Sequence, residues 1–280
     1  MTVQPIQDPK ITGRTSILMM VADPVAHIRG SALINARFAE LGLDAAIVPL
    51  HVAPEDLATM VATLRNMQNL AGLGVTIPHK ISVIPQIDSM TMAAKRAGAV
   101  NFVRREADGR LIGTNTDGAG FMAGLVRADV AVEGKSAVLA GAGGVARAIA
   151  FALADGGLRK LSILNRDHAK AEALATEVAA AVPSCDSQAI RPSSSDPVAD
   201  LAVNGTSLGM AEGDPLPLPG SWLHAGMVVA EVVIAPARTA LLQAAEARGC
   251  RTVEGAEMLR SQPDMVTEFL GLRASNDRGA

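Results

Sequence analysis

The chain has 280 residues, 49% of them hydrophobic, which is apolar material for two cores and more than one ordinary domain. Its net charge of −3, with one Trp and no Tyr, excludes the basic face and the stacking platforms that nucleic acid requires. Cys185 and Cys250 are too few to staple such a fold; no apolar run suits a bilayer and no signal segment opens the chain, so a cytoplasmic protein is expected.

Along the first half, short apolar runs alternate with helical spacing. Residues 17–21 read as a buried strand, 31–41 as a helix, 45–50 as the next strand, and 54–67 as a helix with Pro54 near its first turn. This order predicts parallel strands joined by right-handed crossovers. A third strand is expected around 73–76, and 99–103 opens a hairpin turned at Asp108-Gly109. Residues 117–128 read as a connecting helix and 131–134 as the turn into a second alternating unit. Its strands are expected at 137–140, 160–164, 199–203 and 227–233, with a proline-rich loop at 215–219 and amphipathic helices at 239–248 and 256–270.

The second unit opens on the chain's clearest motif. Gly141-Ala142-Gly143-Gly144-Val145-Ala146 follows an apolar strand and starts an alanine-rich helix, the order of a dinucleotide site. The backbone turns at Gly141, a pyrophosphate approaches at Gly143, and the helix amides and dipole receive the phosphates. Alanine at 146 takes the place of the third glycine. The next strand ends in Asn165-Arg166, where the ribose is read. Arg166 and Lys170 suit a 2′-phosphate and hence NADP, while Asp167 is compatible with NAD. The bland alternative is a solvated helix start capped by Asp167. Asn204-Gly205-Thr206-Ser207, after a later strand, reads as a cofactor-side loop. Met258 suits either the nicotinamide face or the core.

For the chemistry, Lys80 and Asp117 are the best pair. Lys80 follows a strand ending in the proline-fixed turn 76–79, and Asp117 starts the connecting helix after Gly113-Thr114-Asn115-Thr116. Hydride transfer from an alcohol needs a group to take the hydroxyl proton, which a lysine beside a carboxylate and a dinucleotide suits. Singly, a surface lysine and a helix-capping aspartate are the plainer readings. The five histidines have no ligand spacing, so no metal site is expected, and the 12 methionines read as core filler.

Together these residues resemble the shikimate dehydrogenase family. The resemblance rests on Asp23-Pro24-Val25-Ala26-His27, Val75-Thr76-Ile77-Pro78-His79-Lys80, Gly98-Ala99-Val100-Asn101, Asn115-Thr116-Asp117-Gly118, the glycine loop, Asn165-Arg166, the segment 204–210 and the segment 255–262. It implies a three-layer α/β substrate domain with a mainly parallel sheet over 1–117, completed by 250–280, and a Rossmann-like NAD(P) domain over 118–249. It implies NADP- or NAD-linked, reversible oxidation of a ring hydroxyl of shikimate or quinate, a step of aromatic amino acid biosynthesis. By position, Lys80 and Asp117 resemble the catalytic pair, and Thr76, Asn101 and Gln262 resemble substrate-hydroxyl contacts. The implied partner is a small hydroxy acid, with no membrane or nucleic acid; a homodimer is compatible with the sequence.

The chain also departs from the family's pattern. Two serines that hold the substrate carboxylate there are Ile28 and Gly30 here, the asparagine before Val75 is Gly74, a tyrosine is Ile234, and Phe102 follows Asn101 in place of a small polar residue. Each lost charge-assisted hydrogen bond removes about 1.5–3 kcal/mol. Arg29 is the candidate to compensate, by a bidentate grip on the carboxylate. A different cyclic hydroxy acid or polyol is therefore the alternative substrate. A non-catalytic dinucleotide sensor is a further alternative, disfavoured because such a protein has no chemical need of Lys80 and Asp117.

Overall fold

The computed structural model describes residues 11–26, 28, 30–192 and 198–272. Two compact units divide at Thr116/Asp117 and again at Ser261/Gln262, so the C-terminal residues belong with the first unit.

The first unit runs β1 (Ser16–Ala22), α1 (Gly30–Glu40), β2 (Ala45–His51), α2 (Leu57–Leu64), β3 (Leu70–Val75), α3 (His79–Ser82), β4 (Ser89–Met90), α4 (Met92–Ala97), β5 (Phe102–Arg105) and β6 (Leu111–Thr114). Its sheet has the order β2-β1-β3-β5-β6-β4; β1 is parallel to β2 and β3, whereas β5 runs antiparallel to both β3 and β6. Alternation along β1 sends Leu18 and Met20 to one core and Val21 to the other. The first of these cores includes Ile34 and Phe38 of α1 with Val266 and Leu270 of the C-terminal helix, and the second includes Leu57, Val61 and Leu64 of α2. Three layers result. The C-terminal helix is also tied by Arg37–Asp264 at 2.6 Å and by the Arg104 guanidinium donating to the Phe269 carbonyl at 2.8 Å.

The second unit runs α5 (Asp117–Arg127), β7 (Ser136–Ala140), α6 (Gly144–Asp155), β8 (Lys160–Leu164), α7 (His168–Ala181), β9 (Asp186–Ile190), β10 (Leu201–Asn204), β11 (Val228–Glu231), α8 (Ala240–Glu246), β12 (Arg251–Val253) and α9 (Ala256–Arg260). Its sheet is parallel throughout, in the order β12-β11-β10-β7-β8-β9. Counted from β7, this is the doubly wound Rossmann order, which reverses between β7 and β10 and opens its ligand crevice at their carboxyl ends.

Several expectations shift. The helix expected over 54–67 is a 3₁₀ turn, Pro54–Asp56, followed by the shorter α2. The single helix expected over 256–270 is two, α9 and α10 (Gln262–Leu270), because Pro263 has no N–H to donate back to a preceding carbonyl. The return to the first unit, expected at residue 250, comes at Gln262. Before it, β12 extends the second sheet and α9 packs on α5, with Arg127–Glu257 paired at 3.2 Å. Strands β4, β9 and β12 were unexpected: two are at most three residues long, and β9 is polar. Among the described residues no helix is long and apolar enough to cross a membrane, and no cluster of metal-ligating side chains occurs.

Candidate active site

In the first unit, antiparallel pairing brings three distant motifs to one end of the sheet. Gly74 pairs with Phe102, and Phe102 with Thr114, so the end of β3, the start of β5 and the end of β6 are neighbours. The backbone continues the pairing, with Val75 N–H donating to Asn101 at 2.8 Å and Asn101 N–H to Thr114 at 3.0 Å. The Asn101 side chain then holds Thr116 from both sides, its amide donating to Thr116 Oγ1 and its Oδ1 accepting from Thr116 N–H, each at 3.0 Å. Thr116 is the residue before Asp117, so Asn101 fixes the backbone from which α5 departs.

The turn carrying Lys80 is equally constrained. The chain leaves β3 through a cis Ile77–Pro78 bond. Thr76 N–H donates to Val21, Asp23 N–H to Ile77, and Val100 N–H to the Lys80 carbonyl. His79 is fully buried, with Nε2 2.8 Å from the Val52 carbonyl; a carbonyl only accepts, so Nε2 carries the proton. Lys80, Thr76 and Asn101 thus sit on one braced sheet end. Gln262 is buried at the start of α10, and Asp117 is 2% exposed at the start of α5 in the second unit. Arg29 lies outside the described residues.

Two of the departures from the family's pattern, Gly74 and Phe102, meet in an apolar core. A Cβ on Gly74 would lie 2.6 Å from Met20 Cε, 2.7 Å from its Sδ and 3.2 Å from Phe102 Cε1. Met20 and Phe102 fill the space that a side chain at 74 would occupy. Ile28 packs against the same cluster. At Gly30, in contrast, an added Cβ meets nothing within 4 Å.

In the second unit, Gly141 has φ 113°, and a Cβ there would lie 2.8 Å from the Gly205 carbonyl, so both conformation and space require glycine. Gly143 is different. Its φ of −80° is open to any residue, and an added Cβ meets no protein atom within 4 Å. Nothing in the fold requires glycine there, whereas a phosphate approaching the α6 N-terminus would. Arg147 N–H makes the first helical bond, to Gly143 at 2.8 Å, leaving the preceding helix amides for a ligand. These features fit a dinucleotide. Ala146 serves packing: it is fully buried, and a Cβ on Gly205 would lie 2.8 Å from its own. Ala142 and Val145 border the same core, and Met258 is buried within it.

After β8, Asn165 Nδ2 donates to the Asp167 carbonyl at 2.8 Å. Asp167 stands at the N-cap of α7 without a side-chain cap bond. Its carboxylate lies 3.9 Å from Lys170 Nζ, both side chains being more than half exposed, an arrangement that binds neither tightly. Arg166 is exposed beside them.

Sequence reasoning missed Glu231, the acid inside the apolar run 227–233. It is 1% exposed. Burial pushes its carboxyl up from the usual range, opposed by hydrogen bonds from Val233, Asn204, Thr239 and Val232. Through Asn204 it meets the loop of Gly205, Thr206 and the exposed Ser207. The available signal was a charged residue where strand burial leaves no room for an unpaired one.

Comparison with known proteins agrees with this geometry. Residues 20–103 match the shikimate dehydrogenase substrate binding domain, and 124–191 match shikimate / quinate 5-dehydrogenase. A shikimate dehydrogenase (NADP(+)) of Rubrobacter xylanophilus is 41% identical over 91% of this chain and 90% of its own. The chain belongs to the shikimate dehydrogenase family. Among solved structures, a shikimate dehydrogenase in complex with NADP+ superposes with a TM-score of 0.86 at 31% identity, covering 95% of this chain and 94% of that one. A 5-ketofructose reductase of Gluconobacter sp. superposes at 0.81 with 32% identity, covering 92% and 94%.

Proposed function

We propose that this protein catalyses the NADP-linked, reversible oxidation of a ring hydroxyl, shikimate to 3-dehydroshikimate or a close analogue. The observation that carries the reading is the braced sheet end that presents Thr76, Lys80 and Asn101 together in a chain 41% identical to a shikimate dehydrogenase (NADP(+)). Substrate recognition falls to the unit that ends at Thr116 and resumes at Gln262, and cofactor binding to the unit 117–261.

In this reading Lys80 and Asp117 are the catalytic residues. Lys80 takes the hydroxyl proton while the C–H bond gives up hydride and the C–O bond becomes a carbonyl; in reduction Lys80 returns that proton. The Asp117 carboxylate accepts a hydrogen bond from the Lys80 amine and so orients it toward that hydroxyl. Thr76, Asn101 and Gln262 hold the remaining hydroxyls, with Arg29 at the carboxylate. Bound NADP supplies the hydride acceptor. Residues 141–146 receive its pyrophosphate, Arg166 and Lys170 its 2′-phosphate, and Asn165, Asn204, Thr206, Ser207 and Met258 border it. NAD is a compatible second cofactor.

A second reading is favoured by Ile28 and Gly30, which stand where the family's pattern has two serines. Neither offers a carboxylate a side-chain hydrogen bond, which points to a neutral polyol, or to a different cyclic hydroxy acid whose carboxylate is held elsewhere. One turnover screen separates the readings: shikimate, quinate and a neutral polyhydroxy ketone, each with NADP(H) and NAD(H). Higher kcat/KM for shikimate supports the first, and higher kcat/KM for the neutral ketone the second. No turnover of any of them with either cofactor overturns both. The reading carries a cytoplasmic protein with a small-molecule partner and no nucleic acid; light scattering tests the homodimer.

A further inference from the structure

The carboxylate of Glu231 accepts four hydrogen bonds from three segments. Oε1 accepts from Asn204 Nδ2 at 2.7 Å, Val232 N–H at 2.9 Å and Val233 N–H at 3.0 Å, and Oε2 accepts from Thr239 Oγ1 at 2.9 Å. Burying a charge is unfavourable even when it is fully paired, and an apolar side chain would pack the same space without that penalty. Packing alone therefore does not account for an acid here.

What a carboxylate does is impose direction, since it accepts and cannot donate. Asn204 must turn its NH₂ toward Glu231, which turns its Oδ1 the other way. That Oδ1 accepts from Thr206 N–H at 3.0 Å and Thr206 Oγ1 at 2.7 Å, while Nδ2 also donates to the Leu208 carbonyl at 2.9 Å and Thr206 Oγ1 accepts from Leu208 N–H at 3.0 Å. With the amide reversed, the donors of Thr206 would face NH₂ groups. The oriented loop backs the glycine turn. Gly205 N–H donates to the Ala140 carbonyl at 2.7 Å, and the Gly205 carbonyl stands where a Cβ on Gly141 would be. The chain of contacts thus runs from Glu231 through Asn204 and Gly205 to Gly141.

We propose that Glu231 is a positioning residue for the cofactor: by fixing the orientation of Asn204 it sets the loop 204–208 against the glycine turn and so determines dinucleotide affinity. This rests on the cofactor reading given above. Titration of NADP into the purified full-length protein tests it. Glu231→Ala should raise the Kd for NADP about tenfold or more, with kcat at saturating NADP changing far less. Glu231→Gln, whose Oε1 can still accept from Asn204, should restore Kd to within about threefold of the unmodified protein. Asn204→Ala should match Glu231→Ala, and the double variant should add little, because both cut one link. A role in folding alone would lower the melting temperature and leave the Kd of the folded protein unmoved; that result, in Glu231→Ala with native circular dichroism, overturns the proposal. If Glu231→Ala does not fold, Asn204→Ala carries the test, and an unchanged Kd again overturns it. Unmodified protein that binds neither NADP nor NAD overturns the cofactor reading and this inference with it.

Discussion

The two units carry candidate binding residues of opposite kinds. At the glycine turn the protein offers backbone: Gly141 is required by its φ of 113° and the nearby Gly205 carbonyl, and Gly143 leaves open space before the α6 amides. At the end of β3 the protein offers side chains: Thr76 and Lys80 on a turn bonded to β1 and to the stretch before β5, and Asn101 in that stretch, bonded to β6. Backbone recognition suits a pyrophosphate, which is the same in every dinucleotide, and it tolerates little change. Side-chain recognition can be rewritten residue by residue. Of the departures from the family's pattern, Ile28, Gly30, Gly74 and Phe102 lie in the first unit and Ile234 in the second.

The largest effect should come from the side chains that do chemistry. Lys80→Met should reduce turnover by about 10²–10⁴-fold while leaving NADP affinity nearly unchanged. Combined with Asp117→Asn, the loss should fall well short of the product of the single losses, as for groups serving one proton transfer. Steady-state kinetics of the three variants checks this, and fully multiplicative losses would remove the pair.

On the cofactor side, discrimination should reside in the few side chains beyond the backbone cradle. Arg166→Ala should weaken NADP about tenfold or more and leave NAD within about twofold, because only NADP brings a 2′-phosphate to pair. Equal weakening of both in parallel titrations would mean that Arg166 does not read the ribose.

Rewriting the substrate side back toward the family pattern should have a moderate effect. Since an added Cβ at Gly30 meets nothing, Ile28→Ser with Gly30→Ser should fold and lower the Michaelis constant for shikimate about tenfold. An unchanged constant would place the carboxylate elsewhere, with Arg29 next to be replaced.

The smallest effect concerns the ties that hold the substrate-side sheet. The Arg65 guanidinium, and next the Leu111 N–H, hold the Asp88 carboxyl below the usual range. A depressed carboxylate contributes stability above its unfolded pKa, and that contribution is lost as pH falls through the folded value. Melting temperatures of Asp88→Asn and the unmodified protein should therefore differ at neutral pH and converge in acid, modestly, since the pair is partly exposed. A gap independent of pH would show that Asp88 acts through shape alone.

How much of this was legible beforehand follows the same division. The strand 160–164 was read with its observed limits, because Leu161, Ile163 and Leu164 give it a short apolar stretch, and the glycine turn was placed correctly, because a turn with positive φ favours glycine. Lys80 and Asp117 were singled out from their strand-end and helix-start positions, although only the family resemblance made them a pair. Glu231 was not found, nor was the clamp of Asn101 on Thr116, since both depend on segments brought together from far along the chain.

By itself the sequence determined the alternation of strands and helices and the place of the glycine turn, both of which are set by local backbone preference and the period of burial. Only the tertiary structure decided that β5 runs antiparallel to β3 and so carries Asn101 beside Val75, that Met20 and Phe102 close the space at Gly74, that the chain returns to the first unit at Gln262, and that Glu231 orients Asn204. Each of these depends on strand pairing and close packing between residues distant in sequence, and neither period nor propensity encodes which partner a buried group will meet.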